Sequence, residues 1–227
     1  MTRTFLALAL LAAAARGCEP APAEASPSEA EADALPYYAS AEFTPYWFDS
    51  PEAVPDSFHT VPAFAFVDQV GRTVTEADLD GRVTVANFFF TACPGICPAT
   101  TANMLRVQRE FADDDGVVML SHSVTPEADS VAALAAFAER TGVLAERWRL
   151  VTGSQNAIYE LGKSAYFADD DLGETMSRPD AAFTHTESFY LLDGDRRIRG
   201  VYNGMNSAAV AQLIEDVRTL QAEARSL

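Results

Sequence analysis

The sequence predicts an α/β domain in which helices lie on both faces of a mixed β-sheet. Three observations predict it. Val83 to Phe90 is an apolar run broken only by Thr84 and Asn87, the mark of a strand covered on both faces, and Val117 to Val124 reads as a second core strand. A helical stretch separates the two, which is the pattern of a parallel βαβ unit. Turn residues on either side of this unit mark a hairpin before it and another after it.

Taken in order, Leu35 to Phe48 (LPYYASAEFTPYWF) supplies aromatic residues for an extended arm that packs across the domain. Ala63 to Val67 and Arg72 to Thr75 read as two short strands, with Asp68 to Gly71 as their turn. Glu76 to Gly81 is a turn, and Val83 to Phe90 is the central strand. Pro98 to Ala112 is predicted to be helical because Met104, Val107 and Phe111 are spaced to share one buried face. Val117 to Val124 is the second core strand. The next helix is expected from Pro126 to Arg140, announced by Thr125 before a proline and by early acids, and stopped by Gly142. Trp148 to Val151 reads as a short strand and Ser154 to Ser164 as a helix. The polar segment 168–179 carries Asp169, Asp170 and Asp171 without the spacing of a calcium loop, so it is read as a solvated loop. Ser188 to Leu192 and Ile198 to Tyr202 form the second hairpin. Ser207 to Arg225 closes the chain as a helix with Val210, Leu213, Ile214, Val217 and Leu220 in one stripe. This order of elements indicates a domain of thioredoxin type, in which ligands bind at the carboxyl ends of the strands.

Size and charge narrow the alternatives. A chain of 227 residues that is 48% hydrophobic has enough apolar material for one well-packed domain and an extension. A formal charge of −17, spread along the chain, argues against nucleic-acid binding, which needs clustered Lys and Arg. The N-terminus reads as a processing signal, with Arg3 as a basic start and Phe5 to Ala15 as an apolar core. That core is too short for a bilayer of ~30 Å of hydrocarbon. Residues 1–17 are therefore expected to be removed on export. Cys18 after Ala15, Arg16 and Gly17 resembles the lipidation site of a bacterial lipoprotein; the alternative is ordinary cleavage beside an incidental cysteine. Residues 18–34, mainly Glu, Ala, Pro, Ser and Asp, form a disordered tether. The folded domain is 35–227, expected as a monomer on the periplasmic or extracytoplasmic side of a membrane.

In FFFTACPGICP, Cys93 and Cys97 are at i and i+4 where the central strand gives way to the next helix. If that helix takes in Cys97, both sulfurs lie near unpaired N–H groups and the positive end of the dipole, which favours thiolate. Such a pair can close a disulfide or hold one soft metal ion, and Cu(I) suits it best. If Cys18 carries lipid, Cys93 and Cys97 remain as the only free pair in an oxidising compartment. A loop of three intervening residues removes little unfolded-state entropy, so a structural staple is a weak reason for the pair.

The chain has three histidines, His59, His122 and His185. His185 lies just before the strand at Ser188, a connection that in thioredoxin-type sheets runs over the cysteine helix. Oxidoreductases of that type place a cis-proline there, whereas residues 184–189 hold no proline and offer an imidazole. Two thiolates and one imidazole make a three-coordinate copper site able to take Cu(I) or Cu(II). His122, near the end of the second strand, is the reserve ligand or a hydrogen-bonding neighbour. His59 is assigned to packing or a turn contact.

These residues resemble the Sco/SenC family of copper-binding proteins, which assist assembly of the dinuclear copper centre of cytochrome c oxidase. The resemblance runs from Leu35 to the C-terminus and rests on FFFTACPGICP, SVTPEADS, His185 and LLDGDRRIRGVYNG. It implies a thioredoxin-like fold with an inserted hairpin, one copper per chain held by Cys93, Cys97 and His185, and oxidase subunit II as recipient. One departure stands out: where the family reads Asp-Pro-x-x-Asp-Thr, this chain has Thr125 for the first Asp and Ser130 for the Thr, keeping Asp129.

Two other functions use the same residues. A thiol-disulfide oxidoreductase would employ Cys93 and Cys97 as a catalytic redox pair, with a thiol reductant protein as partner; a redox or copper sensor would bind without transfer. A peroxidase is disfavoured, since Ala86 stands where the peroxiredoxin proline would be and Thr91 precedes Cys93 by two residues, not three.

Overall fold

A computed structural model describes residues 34–168 and 187–225. Seven strands form one sheet: β1 (Ala65–Asp68), β2 (Thr73–Thr75), β3 (Val83–Phe89), β4 (Val117–Ser123), β5 (Trp148–Thr152), β6 (Ser188–Leu192) and β7 (Ile198–Asn203). Their order is β2-β1-β5-β4-β3-β6-β7. The centre is parallel, with β3 beside β4 and β4 beside β5, and both hairpins add antiparallel edges. The helices are α1 (Cys97–Glu110), α2 (Val131–Thr141), α3 (Gln155–Ala165) and α4 (Ser207–Arg225). The mixed sheet with helices on both faces is thus the predicted architecture.

Alternation along the strands divides the interior into two cores. Val85 and Phe89 of β3 and Met119 of β4 face α1, α2 and α4, joining Met104, Val107, Leu134, Phe137, Leu213 and Val217. Ala86 and Phe88 of β3 and Val118 and Leu120 of β4 face the other way, onto Ile158, Leu161 and Ala165 of α3. Asn87, which breaks the apolar run, belongs to a buried relay. Trp148 donates its indole N–H to the Ser121 hydroxyl at 2.7 Å, and that hydroxyl donates to Asn87 Oδ1 at 2.5 Å.

The aromatic arm is present and tied down. Tyr37 exchanges two backbone hydrogen bonds with Tyr46, and Tyr38 N–H donates to the Ile198 carbonyl. Arg199, only 4% exposed, donates to the carbonyls of Leu35 and Pro36, pairs with Glu223, and lies 3.9 Å over the Tyr37 ring. His59 donates its Nε2–H to the Ala165 carbonyl, 2.8 Å away, and packs on Phe167, the packing role expected of it.

The largest departure from the expected boundaries is at α2. The helix expected from Pro126 begins at Val131. Residues 125–129 form a turn in which the Ala128 and Asp129 amides both donate to the Thr125 carbonyl. Asp129 points inward and is 1% exposed, so the capping task passes to Ser130, whose hydroxyl accepts from the Ala133 amide.

His122 is also elsewhere than expected. It pairs in register with Phe88, so its ring projects into the core beneath α3, away from the face carrying Cys97. Phe88 stacks on it at 5.1 Å, and Phe64, Phe66 and Tyr166 complete an aromatic box. Neither ring nitrogen has a hydrogen-bond partner among the described residues. Burial therefore pushes its pKa down to about 3. His122 is a neutral core residue, and the reading of it as reserve ligand is corrected.

The consequence for stability has a definite sign. The unfolded chain binds a proton on His122 below about pH 6.5 while the folded chain stays neutral down to about 3, so this residue lowers stability as pH falls through that window. The slope reaches about 1.4 kcal/mol per pH unit. His122→Phe is expected to be more stable than the parent, with an advantage about 2 kcal/mol larger at pH 5 than at pH 7. Urea unfolding at the two pH values measures it; parallel pH profiles for parent and variant would refute the assignment.

Candidate metal centre

The centre is built at the carboxyl end of the central strand. β3 ends at Phe89, and α1 opens at Cys97, with Cys93 in the turn between them. Pro98 fits the first turn of α1, where its missing N–H leaves no broken helix bond. The N-cap residue Ile96 has no side-chain acceptor. Cys93 supplies one instead: its Sγ accepts the Cys97 amide N–H at 3.4 Å. The turn thus brings the first sulfur back over the helix end.

The two thiols differ. Both are unbridged; Cys93 is half-buried and Cys97 is 5% exposed, within the core formed by Phe89, Met104 and Phe137. Burial, then the adjoining Cys93 sulfur, pushes the Cys97 thiol up to about 12, against the weaker opposing pull of backbone N–H groups. The expectation that the helix end would favour thiolate at both sulfurs is corrected for Cys97, because burial there outweighs the backbone N–H groups.

A buried acid fixes the approach to Cys93. The Asp129 carboxylate accepts the Thr91 amide at 3.2 Å, the Thr91 hydroxyl at 2.5 Å, the Ser123 hydroxyl at 2.6 Å and the Thr125 hydroxyl at 3.2 Å. It joins the turn before α2 to the turn two residues ahead of Cys93. Position 125 now has a reading: Thr125 donates to Asp129, where a second carboxylate would set like charges together. Sequence reasoning noted Asp129 without finding this role.

On the other side, the loop after β7 is fastened to α1. Asn103 donates to the Gly204 carbonyl at 2.8 Å, and the Gly204 amide donates to the Glu187 carbonyl at 2.7 Å. A Cβ at residue 204 would meet the Phe189 ring at 2.5 Å and the Glu187 oxygen at 2.8 Å, so only glycine permits this approach. Glu187 thereby reaches the sheet beside α1.

Cys93 and Cys97 are brought together as predicted. Among the described residues no third His, Cys, Asp or Glu joins them. His185, Cys18 and the Asp169 to Asp171 run lie outside the described residues. Two sulfurs alone are a soft donor set suited to Cu(I) or to reversible disulfide chemistry.

Fold and site together define a thioredoxin-like α/β domain with a Cys-x-x-x-Cys pair at the start of its first helix. The SCO1/SenC family model matches residues 52–222. The SCO1 protein homolog of Bacillus subtilis (strain 168) is 32% identical over 165 residues, covering 71% of this chain and 82% of that protein. The mitochondrial SCO2 homolog of Bos taurus is 30% identical over 167 residues, 72% of this chain and 60% of the bovine one. Among solved structures, a SCO1/SenC family lipoprotein from Bacillus anthracis str. Ames aligns with a TM-score of 0.63 at 30% identity, covering 72% of this chain and 95% of that one. Bradyrhizobium japonicum ScoI with copper bound aligns at 0.55 and 26% identity, covering 69% and 98%. The chain belongs to the SCO1/SenC family.

Proposed function

We propose that this protein is an extracytoplasmic copper metallochaperone that binds one copper ion through Cys93, Cys97 and His185 and passes it to cytochrome c oxidase subunit II. The observation that carries the reading is the unbridged thiol pair, with the Cys93 sulfur drawn onto the Cys97 amide at the carboxyl end of the central strand. The copper-bound ScoI relative supports it, as does a relative described as one of the Sco cytochrome c oxidase assembly proteins with a disulfide switch. His185 precedes by two residues Glu187, which is held beside α1, and two residues span at most ~7 Å of chain.

Copper is the cargo, and Cys93, Cys97 and His185 are its ligands in this reading. Cys97 must lose its proton to bind it, and the metal supplies the positive charge that offsets burial of the thiolate. Both thiols must be reduced, since a disulfide has no thiolate to offer. Residues 1–17 are the export signal, 18–34 the tether from a lipid on Cys18, and 35–227 the domain held near the membrane; the lipoprotein relative supports this placement.

A second reading is favoured by the asymmetry of the pair. Half-buried Cys93 can attack a target disulfide, and Cys97 can then displace the mixed disulfide, so that the target gains two thiols and Cys93 and Cys97 become a disulfide. A thiol reductant protein would reset the pair.

Uptake of Cu(I) by the reduced, purified full chain tests the first reading. One equivalent is expected, held against a competing chelator, with stoichiometric uptake abolished by Cys93→Ser or Cys97→Ser. No stoichiometric uptake by the parent would leave the oxidoreductase reading standing alone.

A further inference from the structure

Tyr46 and Trp47, 44% and 59% exposed, are the only exposed aromatic side chains among the described residues. They are held in place. Tyr37 and Tyr46 exchange backbone hydrogen bonds at 2.9 and 2.8 Å, and Phe58 meets the rings of Tyr37, Tyr46 and Phe48 edge-on at 6.0, 5.6 and 5.5 Å. A small aromatic cluster outside both cores thus presents two amphipathic rings to solvent. Strand pairing fixes where it sits. Tyr38 bridges Ile198, Ile198 pairs with Leu192, and Leu192 pairs with Thr84 near the start of β3. The cysteine turn follows the other end of that strand, about 20 Å away along it. The chain also enters the domain here, since the carbonyls of Leu35 and Pro36 accept from Arg199. The surrounding charges have one sign: Glu42, Asp49, Glu52 and Asp56 are exposed, and residues 34–71 contain no Lys or Arg.

We infer that Tyr46 and Trp47 dock the domain on the bilayer that carries its anchor, at the headgroup level of zwitterionic lipid, with the cysteine turn facing away from the membrane. The inference rests on the lipid-anchored reading of Cys18 and residues 18–34. Tyr and Trp are the side chains that settle at a membrane interface, apolar ring inward and polar tip in water. Two of them bind weakly alone, but a tether of 17 residues is at most about 60 Å long, which makes docking an intramolecular event. The bonds that fix Tyr46 reduce the ordering cost. A second copy of the chain is the poorer occupant, because it would set the four acids of one arm against those of the other. The same acids are repelled by anionic lipid, so the surface that suits this arm is zwitterionic.

The test uses the full chain made with its own signal in a bacterial host, metal-free, in phosphatidylcholine vesicles with or without brominated acyl chains. Flotation with the vesicles reads the anchor, and quenching of tryptophan emission by bromine reads the docking. The chain has two tryptophans, and Trp148 is 2% exposed, so Trp47 is the reporter and Trp47→Phe supplies the background. Trp47 emission is expected to fall at least about twofold in brominated vesicles, with no loss in Trp47→Phe. Tyr46→Ser should float like the parent and lose most of the quenching, while Val70→Ser, which removes an exposed apolar side chain from the turn between β1 and β2, should keep it. Anionic phosphatidylglycerol in the vesicles is expected to weaken the quenching, and about 1 M salt to restore it. A parent that floats with Trp47 unquenched would overturn the docking and leave the anchor standing. Shielding of Trp47 that follows protein concentration rather than lipid would also overturn it, in favour of a second copy. A parent that does not float would remove the anchored reading and the docking with it.

Discussion

Asp129→Ala is expected to cost about 3 kcal/mol or more of stability, among the largest effects of any substitution outside the two cores. The carboxylate is 1% exposed and accepts from the Thr91 amide and the hydroxyls of Thr91, Ser123 and Thr125. Removing it leaves a cavity and four donors with no acceptor in a buried place, and hydrogen bonds to a carboxylate are stronger than neutral ones. Asp129→Asn keeps the volume and one acceptor oxygen, so it should lose less. Because Thr91 stands two residues before Cys93, both variants should also weaken copper binding without removing a ligand. Chemical unfolding and copper competition on the same samples measure the two effects. An Ala variant within about 0.5 kcal/mol of the parent would show that the network is ornamental.

His185→Ala is expected to lower Cu(I) affinity at least a hundredfold, about 2.8 kcal/mol, while leaving much of any dithiol-disulfide exchange at Cys93 and Cys97. Half-buried Cys93 and buried Cys97 can still exchange disulfides without an imidazole, whereas a three-coordinate ion would lose a third of its ligands. The variant therefore separates the two readings of the site. Copper affinity unchanged by the substitution would assign the cysteines to redox chemistry and leave His185 without a role in either.

Much of this was legible in the residues because the signals are local. The apolar run Val83 to Phe90 marked a covered strand, and the stripe from Val210 to Leu220 marked a helix against a core. The cysteine pair was equally legible, since spacing and neighbouring prolines fixed where it would sit. What escaped depends on contacts between distant segments. Whether His122 faces the cysteines is a question of strand parity and register: it pairs with Phe88, and a shift by one residue would have sent it to the other core. The burial of Cys97 depends on Phe89, Phe137 and Met104 converging from three elements. The start of α2 was misread because Asp129 resembles an ordinary first-turn acid. Only its bonds to Thr91, 38 residues earlier, show that it faces inward.

The direct measurement of the central claim is copper K-edge X-ray absorption on the reduced full chain loaded with one equivalent of Cu(I), beside the His185→Ala variant. The account predicts two sulfur scatterers and one imidazole nitrogen for the parent, with the imidazole signal absent from the variant. A parent spectrum without nitrogen, or one that the variant reproduces, would contradict it.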